Sequence, residues 1–154
     1  MFQPSRISLV QHAHQAIGEV VSEGDTVIDA TIGNGHDTLF LAHCVGNSGR
    51  VYGFDIQQQA LQSTLQRLDE AGIAKRVTLY HAGHELIATL LPDQLREGVR
   101  AVMFNLGYLP GGEKSRTTTP STTQAALVAA IEPLSPGGRI SVIAYTGHQG
   151  GREE

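Results

Sequence analysis

The sequence predicts a single α/β domain over residues 1–154, built on a mostly parallel β-sheet with helices on both faces. Short runs of apolar and β-branched residues alternate along the chain with segments in which apolar residues recur at helical spacing. A glycine turn follows the first predicted strand, and an acidic residue ends the second. Because right-handed βαβ crossovers bring the carboxyl ends of parallel strands to one edge, we expect a ligand site at that edge.

Length, composition and charge narrow the class of protein. The chain has 154 residues, is 40% hydrophobic and contains no Trp, so its core is expected to consist of Val, Ile, Leu and Ala. A formal net charge of -4 argues against sequence-blind coating of nucleic acid but is compatible with a local basic patch. Cys44 is the single cysteine, which is typical of a reducing compartment. The sequence shows no signal-peptide or membrane-spanning pattern, so we expect a cytoplasmic protein without membrane contact.

The predicted elements follow one another in regular order. Helical spacing predicts helices within residues 7–21 and at 38–45, 57–71, 84–91 and 120–132. Apolar runs predict strands at residues 27–29, 50–55, 77–81, 100–105 and 139–144. Pro136-Gly137-Gly138 is expected to form the turn before the last strand. His12 and His14 are two positions apart in the first helix and therefore face different sides, so we interpret both as solvated or capping residues rather than metal ligands.

The turn after the first strand is typical of nucleotide-binding proteins. Gly33 and Gly35 permit a sharp turn and a close backbone approach to a ligand, and Asp37 or Thr38 is expected to cap the following helix. The dinucleotide fingerprint requires a third glycine where Thr38 stands. The version that binds S-adenosylmethionine (SAM) needs only the short G-x-G and an acid in the preceding strand. Asp29 is that acid, near a ligand that carries an ammonium and a sulfonium. An ordinary strand–loop–helix turn is the alternative.

Two residues at later strand ends are further candidate cofactor contacts. Asp55 ends the second strand about 20 residues after the glycine turn, the spacing expected of a carboxylate that binds ribose hydroxyls. The alternative is a solvated turn aspartate, which the preceding glycine turn makes the weaker interpretation. His84, after the third strand, is a candidate for contact with adenine or, equally, an exposed residue at a helix start.

A second motif follows the fourth strand. Asn105 and Tyr108 have the N-x-x-Y register of the N-P-P-Y motif found in methyltransferases that act on amines. The side-chain oxygen of Asn105 can accept the N–H bonds of an amine and aim its lone pair at a methyl group. Tyr108 can stack on a base, a contact that contributes roughly 1–3 kcal/mol. The alternative is a glycine-rich loop with a structural Tyr. Because Leu106 and Gly107 replace the two prolines, the loop is expected to be less rigid than in the parent motif.

The remaining polar candidates surround this motif. An attacking amine must first lose a proton, and Tyr108, His148 and bulk water are all candidate acceptors. Lys114 and Arg116 are candidates for contact with substrate phosphates, and a solvated loop is the alternative. The sequence contains no Cys/His cluster with zinc spacing, so no metal is predicted. It also lacks the P-loop and G-x-S-x-G motifs, which weakens the NTPase and hydrolase hypotheses.

The sequence resembles the family of small class I SAM-dependent methyltransferases labelled putative rRNA methylases. Three segments together carry this resemblance: Asp29–Ala42, Asn105–Lys114 and Tyr145–Glu154. The resemblance implies a Rossmann-like methyltransferase fold and methylation of the aminomethyl group of 5-aminomethyl-2-thiouridine at the tRNA wobble position. The implied partners are the anticodon region of tRNA and a second copy of the chain as a homodimer. It implies that Asn105 and Tyr108 face the substrate and that SAM is bound by Asp29, Gly33, Asn34, Gly35, Asp37 and Asp55. The predicted cofactor contacts also include Thr38, Ile56, His84 and Asn105.

The resemblance also leaves alternatives open. The family continues past the segment that ends here at Glu154 with two more strands, so we expect either a truncated form or a sheet that ends early and leaves an exposed edge. Other hypotheses are a methyltransferase of rRNA or of a small amine, a truncated SAM-binding protein without activity, and a dehydrogenase.

Overall fold

The sheet has the predicted parallel architecture. A computed structural model describes residues 6–95, 97–106 and 120–145. In this part of the chain, five strands pair in parallel in the order β3-β2-β1-β4-β5. The strands are β1 (Thr26–Asp29), β2 (Arg50–Asp55), β3 (Val77–His81), β4 (Val99–Leu106) and β5 (Leu134–Ala144). The helices are α1 (Leu9–Gly18), α2 (His36–Val45), α3 (Gln58–Glu70), α4 (Ile87–Leu90) and α5 (Pro120–Ile131). Single turns of 3₁₀ helix lie at Ala74–Arg76, His84–Leu86 and Asp93–Leu95.

Helices cover both faces of the sheet. One hydrophobic cluster joins α1, α2 and α3 to the sheet through Ile17, Leu41 and Leu68, and the other joins α4 and α5 through Ile87 and Ala126. Neighbouring residues of β1 point to opposite clusters, and all four of its residues are buried or half-buried. A strand covered on both sides is expected to be apolar at its centre, and Val27 and Ile28 of β1 are fully buried. Within the described residues, the structure has no helix that is both long and apolar enough to cross a membrane.

The strand order places a crevice at the centre of the sheet. From β1 the chain moves outward through β2 and β3, and then returns to the other side of β1 to form β4 and β5. The β1–β4 boundary is therefore the switch point at which ligands bind in such sheets. Asp29 at the end of β1 stands opposite Gly53 of β2 and Met103 of β4. Asp55 and Asn105 each lie two residues further toward the same edge.

The first helix is shorter than the predicted span and is attached to the sheet by two arginines. Ser8 caps α1 with a reciprocal pair of hydrogen bonds to Gln11. At and just after the end of α1, side chains from the sheet bind backbone carbonyls. Arg139 Nη1 donates to the carbonyl of Ala16 at 2.8 Å, and Arg100 Nε donates to the carbonyl of Val20 at 2.9 Å. These bonds attach the end of α1 to β4 and β5.

Two predicted boundaries are wrong. Helix α2 begins at His36 with Gly35 as its N-cap, so Asp37 and Thr38 lie inside the first turn and do not cap it. Strand β5 begins before the predicted turn rather than after it. Leu134 pairs with Val99 and Arg139 pairs with Ala101, so five steps along β5 match two along β4. The Pro-Gly-Gly segment is therefore a bulge within the strand.

Candidate cofactor and substrate site

The glycine turn after β1 is hydrogen-bonded to the end of β2. Gly33 and Gly35 have φ values of 56° and 85°. The N–H of Gly33 donates to Asp55 Oδ2 at 2.9 Å, and the N–H of Ile32 donates to the carbonyl of Phe54 at 3.1 Å. A Cβ built on Gly35 would lie 2.5 Å from Thr64 Oγ1. Both the conformation and the contact with α3 therefore require glycine at position 35.

Gly33 leaves one side of the turn open to close approach. A Cβ built there would have the carbonyl oxygen of Thr31, 4.0 Å away, as its nearest neighbour among the described residues. Asn34, between the two glycines, is half-buried. The outer side of the turn can therefore accept the body of a ligand.

Asp55 is oriented by backbone N–H donors. Its Oδ1 accepts from the N–H of Gln57 at 2.8 Å and its Oδ2 accepts from Gly33. Burial raises the pKa of Asp55 above its usual range, and this is opposed by these hydrogen bonds and by the charge of His84. A carboxylate offers about four acceptor positions. The N–H groups of Gly33, Ile56 and Gln57 occupy up to three of them, so Asp55 can still accept from a ligand hydroxyl. The contact of Asp55 with the ribose of SAM remains a prediction.

Asp29, the last residue of β1, is buried beneath the glycine turn and is not exposed at the crevice. The residue is fully buried, Oδ1 accepts from the N–H of Thr31 at 3.1 Å, and Oδ2 accepts from the hydroxyl of Thr38 at 2.6 Å. Burial raises the pKa of Asp29 to about 7, and the negative charge of Asp37 adds to the increase. Asp29 therefore acts on the turn and on the start of α2 through hydrogen bonds.

Asp37 has a partner that the sequence did not suggest. His14 Nε2 lies 2.6 Å from Asp37 Oδ1, and its ring stacks on Phe40 with centroids 3.9 Å apart. The side chains of His14 and Asp37 are only 24% and 8% exposed. The prediction that His14 is a solvated or capping residue is therefore wrong. The sequence contains no local signal for this pair, because its members are 23 positions apart.

Two histidines lie beside the residues that follow β2. His81, the last residue of β3, donates from Nε2 to the carbonyl of Ile56 at 2.9 Å, and Ile56 itself is 38% exposed. His84 is buried, with its ring tilted against Phe104 at a centroid distance of 5.6 Å. The alternative of an exposed helix-start residue is therefore wrong for His84. Its contact with adenine remains a prediction.

Asn105 lies on the other side of the crevice, at the carboxyl end of β4. Asn105 is half-buried, and its backbone N–H donates to Thr31 Oγ1 at 2.6 Å. The structure thus brings together Asp29, Asp55, Asn105 and the glycine turn, as expected from the strand ends. The other substrate-side candidates, Tyr108, Lys114, Arg116 and His148, lie outside the described residues. Within the described ranges, no three His, Cys, Asp or Glu side chains form a group that could hold a metal ion.

Two solved structures that are similar to this chain over nearly its whole length are described as methylases or methyltransferases. A structure described as a putative rRNA methylase from Clostridium thermocellum is 45% identical, with a TM-score of 0.88 over 100% of this chain and 78% of that one. A putative methyltransferase from Streptococcus mutans, solved in complex with SAH, is 36% identical, with a TM-score of 0.82 over 99% of this chain and 79% of that one.

Sequence comparison leads to the same family. A chloroplastic tRNA (mnm(5)s(2)U34)-methyltransferase of Arabidopsis thaliana is 48% identical over 150 residues, which is 92% of this chain and 54% of that protein. The chain thus spans about half the length of this curated relative. The family model described as "Putative rRNA methylase" matches residues 51–154. The chain therefore belongs to this family of methyltransferases.

Proposed function

We propose that this protein is a SAM-dependent N-methyltransferase that methylates the aminomethyl group of 5-aminomethyl-2-thiouridine at the wobble position of tRNA. The observation that supports this most is the placement of Asp55 and Asn105 on opposite sides of one crevice, with Gly33 bonded to Asp55 at 2.9 Å. The name of the Arabidopsis relative supports the choice of substrate. The RNA partner would then be the anticodon region of tRNA.

The cofactor half of the proposal assigns a task to each group around the turn. SAM, when bound, supplies the methyl group. Asp55 accepts hydrogen bonds from the ribose hydroxyls, and the turn from Gly33 to Gly35 allows the backbone to approach the ligand. Ile56 and His84 are proposed to lie beside the adenine, while Asn34, Asp37 and Thr38 complete the cofactor contacts. Asp29 is also a predicted SAM contact, but because the residue is fully buried, we propose that it supports the cofactor by maintaining the turn through its bonds to Thr31 and Thr38.

The substrate half concerns groups at the end of β4. The side-chain oxygen of Asn105 accepts an N–H bond of the neutral amine and directs its lone pair, so that catalysis is mainly positioning. Tyr108 stacks on the modified base, and Lys114 and Arg116 contact phosphates. The amine's proton goes to Tyr108, His148 or bulk water.

One observation favours a second candidate, the methylation of another RNA or of a small amine. The formal net charge is -4, and an acidic protein gains little from long-range attraction to RNA. A strong decrease of tRNA affinity with rising salt would favour the tRNA substrate, because contacts to phosphates release counterions. The cytoplasmic location and the homodimer inferred from the sequence remain part of the proposal.

The test is to incubate the chain with SAM and with tRNA that carries the unmethylated aminomethyl group, and to analyse the nucleosides by mass spectrometry. The expected result is one added methyl group on the aminomethyl nitrogen, and its loss in Asn105→Ala. Methylation of a different nucleoside or of a free amine would support the second candidate. SAM binding without transfer to any acceptor would indicate a cofactor-binding protein without activity and would contradict the proposal.

A further inference from the structure

The pairing of β1 with β4 continues beyond the end of β1 through a side chain. Asp29 stands opposite Met103, and the N–H of Ala30 still donates to the carbonyl of Met103 at 2.9 Å. The chain then leaves the sheet to form the glycine turn. The next N–H of β4 on this side belongs to Asn105, and it donates to Thr31 Oγ1 at 2.6 Å. The Thr31 hydroxyl therefore takes the place of the strand carbonyl that the turn removes.

The backbone of Thr31 holds the opposite side of the same crevice. Its N–H donates to Asp29 Oδ1 at 3.1 Å, and Asp29 Oδ2 accepts from the Thr38 hydroxyl at the start of α2. One residue thus joins the buried acid of the cofactor turn to the backbone of Asn105.

We infer that Thr31 is a positioning residue for methyl transfer, whose hydroxyl fixes Asn105 relative to the cofactor turn. The inference rests on the proposed function, because it requires Asn105 to aim the attacking amine. In-line transfer depends steeply on this separation, and a misplacement of about 1 Å can lower a rate about a hundredfold. Thr31 itself touches neither the amine nor the methyl group in this account.

The test uses variants that separate the hydroxyl from the shape of the side chain. Thr31→Val keeps the branched shape and removes the acceptor, whereas Thr31→Ser keeps the hydroxyl and removes the methyl group. Thr26→Val, at the opposite end of β1, is the matched control. If Thr31→Val does not fold, the comparison of Thr31→Ser with Thr31→Ala asks the same question.

The first readout does not involve catalysis. Amide hydrogen exchange followed by NMR reports whether the N–H of Asn105 is hydrogen-bonded. We expect its exchange to rise about tenfold or more in Thr31→Val and to stay near the wild-type rate in Thr31→Ser and Thr26→Val. Unchanged exchange in Thr31→Val would overturn the inference, whatever the activity of the protein.

The second readout is the division between kcat and KM. In Thr31→Val we expect kcat to fall about tenfold to a hundredfold, while KM for SAM stays within about twofold. Thr31→Ser should restore kcat, and Thr31→Val should have little further effect in an Asn105→Ala background. An active wild type with an unchanged kcat in Thr31→Val, or with the loss confined to SAM binding, would overturn this inference alone. An inactive wild type would overturn the proposed function, and the assignment of Thr31 with it.

Discussion

Gly33 and Asp55 are joined by a hydrogen bond of 2.9 Å from the backbone N–H of the turn after β1 to a carboxylate oxygen at the end of β2. The bond connects two segments that are 22 positions apart. It fixes the direction of the carboxylate, which can still accept a hydrogen bond from a ligand. Backbone hydrogen bonds therefore orient Asp55 at the proposed cofactor site.

The glycine at position 35 is expected to be irreplaceable by alanine. In Gly35→Ala the alanine would have to adopt a φ of 85°. Its Cβ would lie 2.5 Å from Thr64 Oγ1, so α3 would have to shift. We expect the free energy of unfolding, measured by urea denaturation, to fall by about 2 kcal/mol or more. Gly72→Ala is the matched control, because Gly72 also has a positive φ of 72° but its Cβ would meet nothing within 4 Å. Equal losses in the two variants would contradict the contact with α3.

The raised pKa of Asp29 predicts how the free energy of unfolding depends on pH. Its pKa is raised from 3.8 to about 7 in the folded protein, so between these values the folded state binds more protons than the unfolded state. Stability therefore falls as the pH rises through this window and levels off above about 7. Relative to Asp29→Asn, the wild type should lose up to about 1.4 kcal/mol per pH unit.

Urea denaturation of both proteins at a series of pH values measures this difference. Asparagine can accept from the N–H of Thr31 and bond to the hydroxyl of Thr38, so the variant retains both contacts without the titrating group. A difference in unfolding free energy that is constant from acid to neutral pH would show that Asp29 does not titrate in this way.

The contact of α1 with α2 depends on His14. In His14→Ala, the carboxylate of Asp37 loses a partner at 2.6 Å and Phe40 loses its stacked ring. We expect the free energy of unfolding to fall by about 1–3 kcal/mol, because a nearly buried carboxylate is left without this hydrogen bond. His12→Ala, an exposed position on the same helix, should change it by less than about 0.5 kcal/mol. Equal effects of the two substitutions would contradict the assigned contact.

The sequence predicted the features that depend on local pattern. The runs of β-branched and apolar residues located β2 and β3 within their observed bounds, and the spacing from Gly33 to Asp55 placed both residues at one edge. Because parallel strands end at the same side, the position of Asn105 also followed from the order of the elements.

The features that the sequence did not predict depend on contacts between distant residues. Thr31 and Asn105 are 74 positions apart, and His14 and Asp37 are 23 apart, so no periodicity connects them. The start of β5 was missed because Pro136-Gly137-Gly138 has the composition of a turn. The structure places it in a bulge, where Arg100 donates to the carbonyl of Pro136 at 3.1 Å.

The most direct test of the account is isothermal titration calorimetry of SAM with the wild type, Asp55→Ala and Asp55→Asn. The account predicts measurable binding to the wild type and a loss of affinity of about tenfold or more in Asp55→Ala, because the ribose hydroxyls lose both acceptors. Asp55→Asn, which keeps one acceptor oxygen, should bind with intermediate affinity. Equal affinity of the three proteins for SAM, or no binding to the wild type, would contradict the claim that this crevice holds the cofactor.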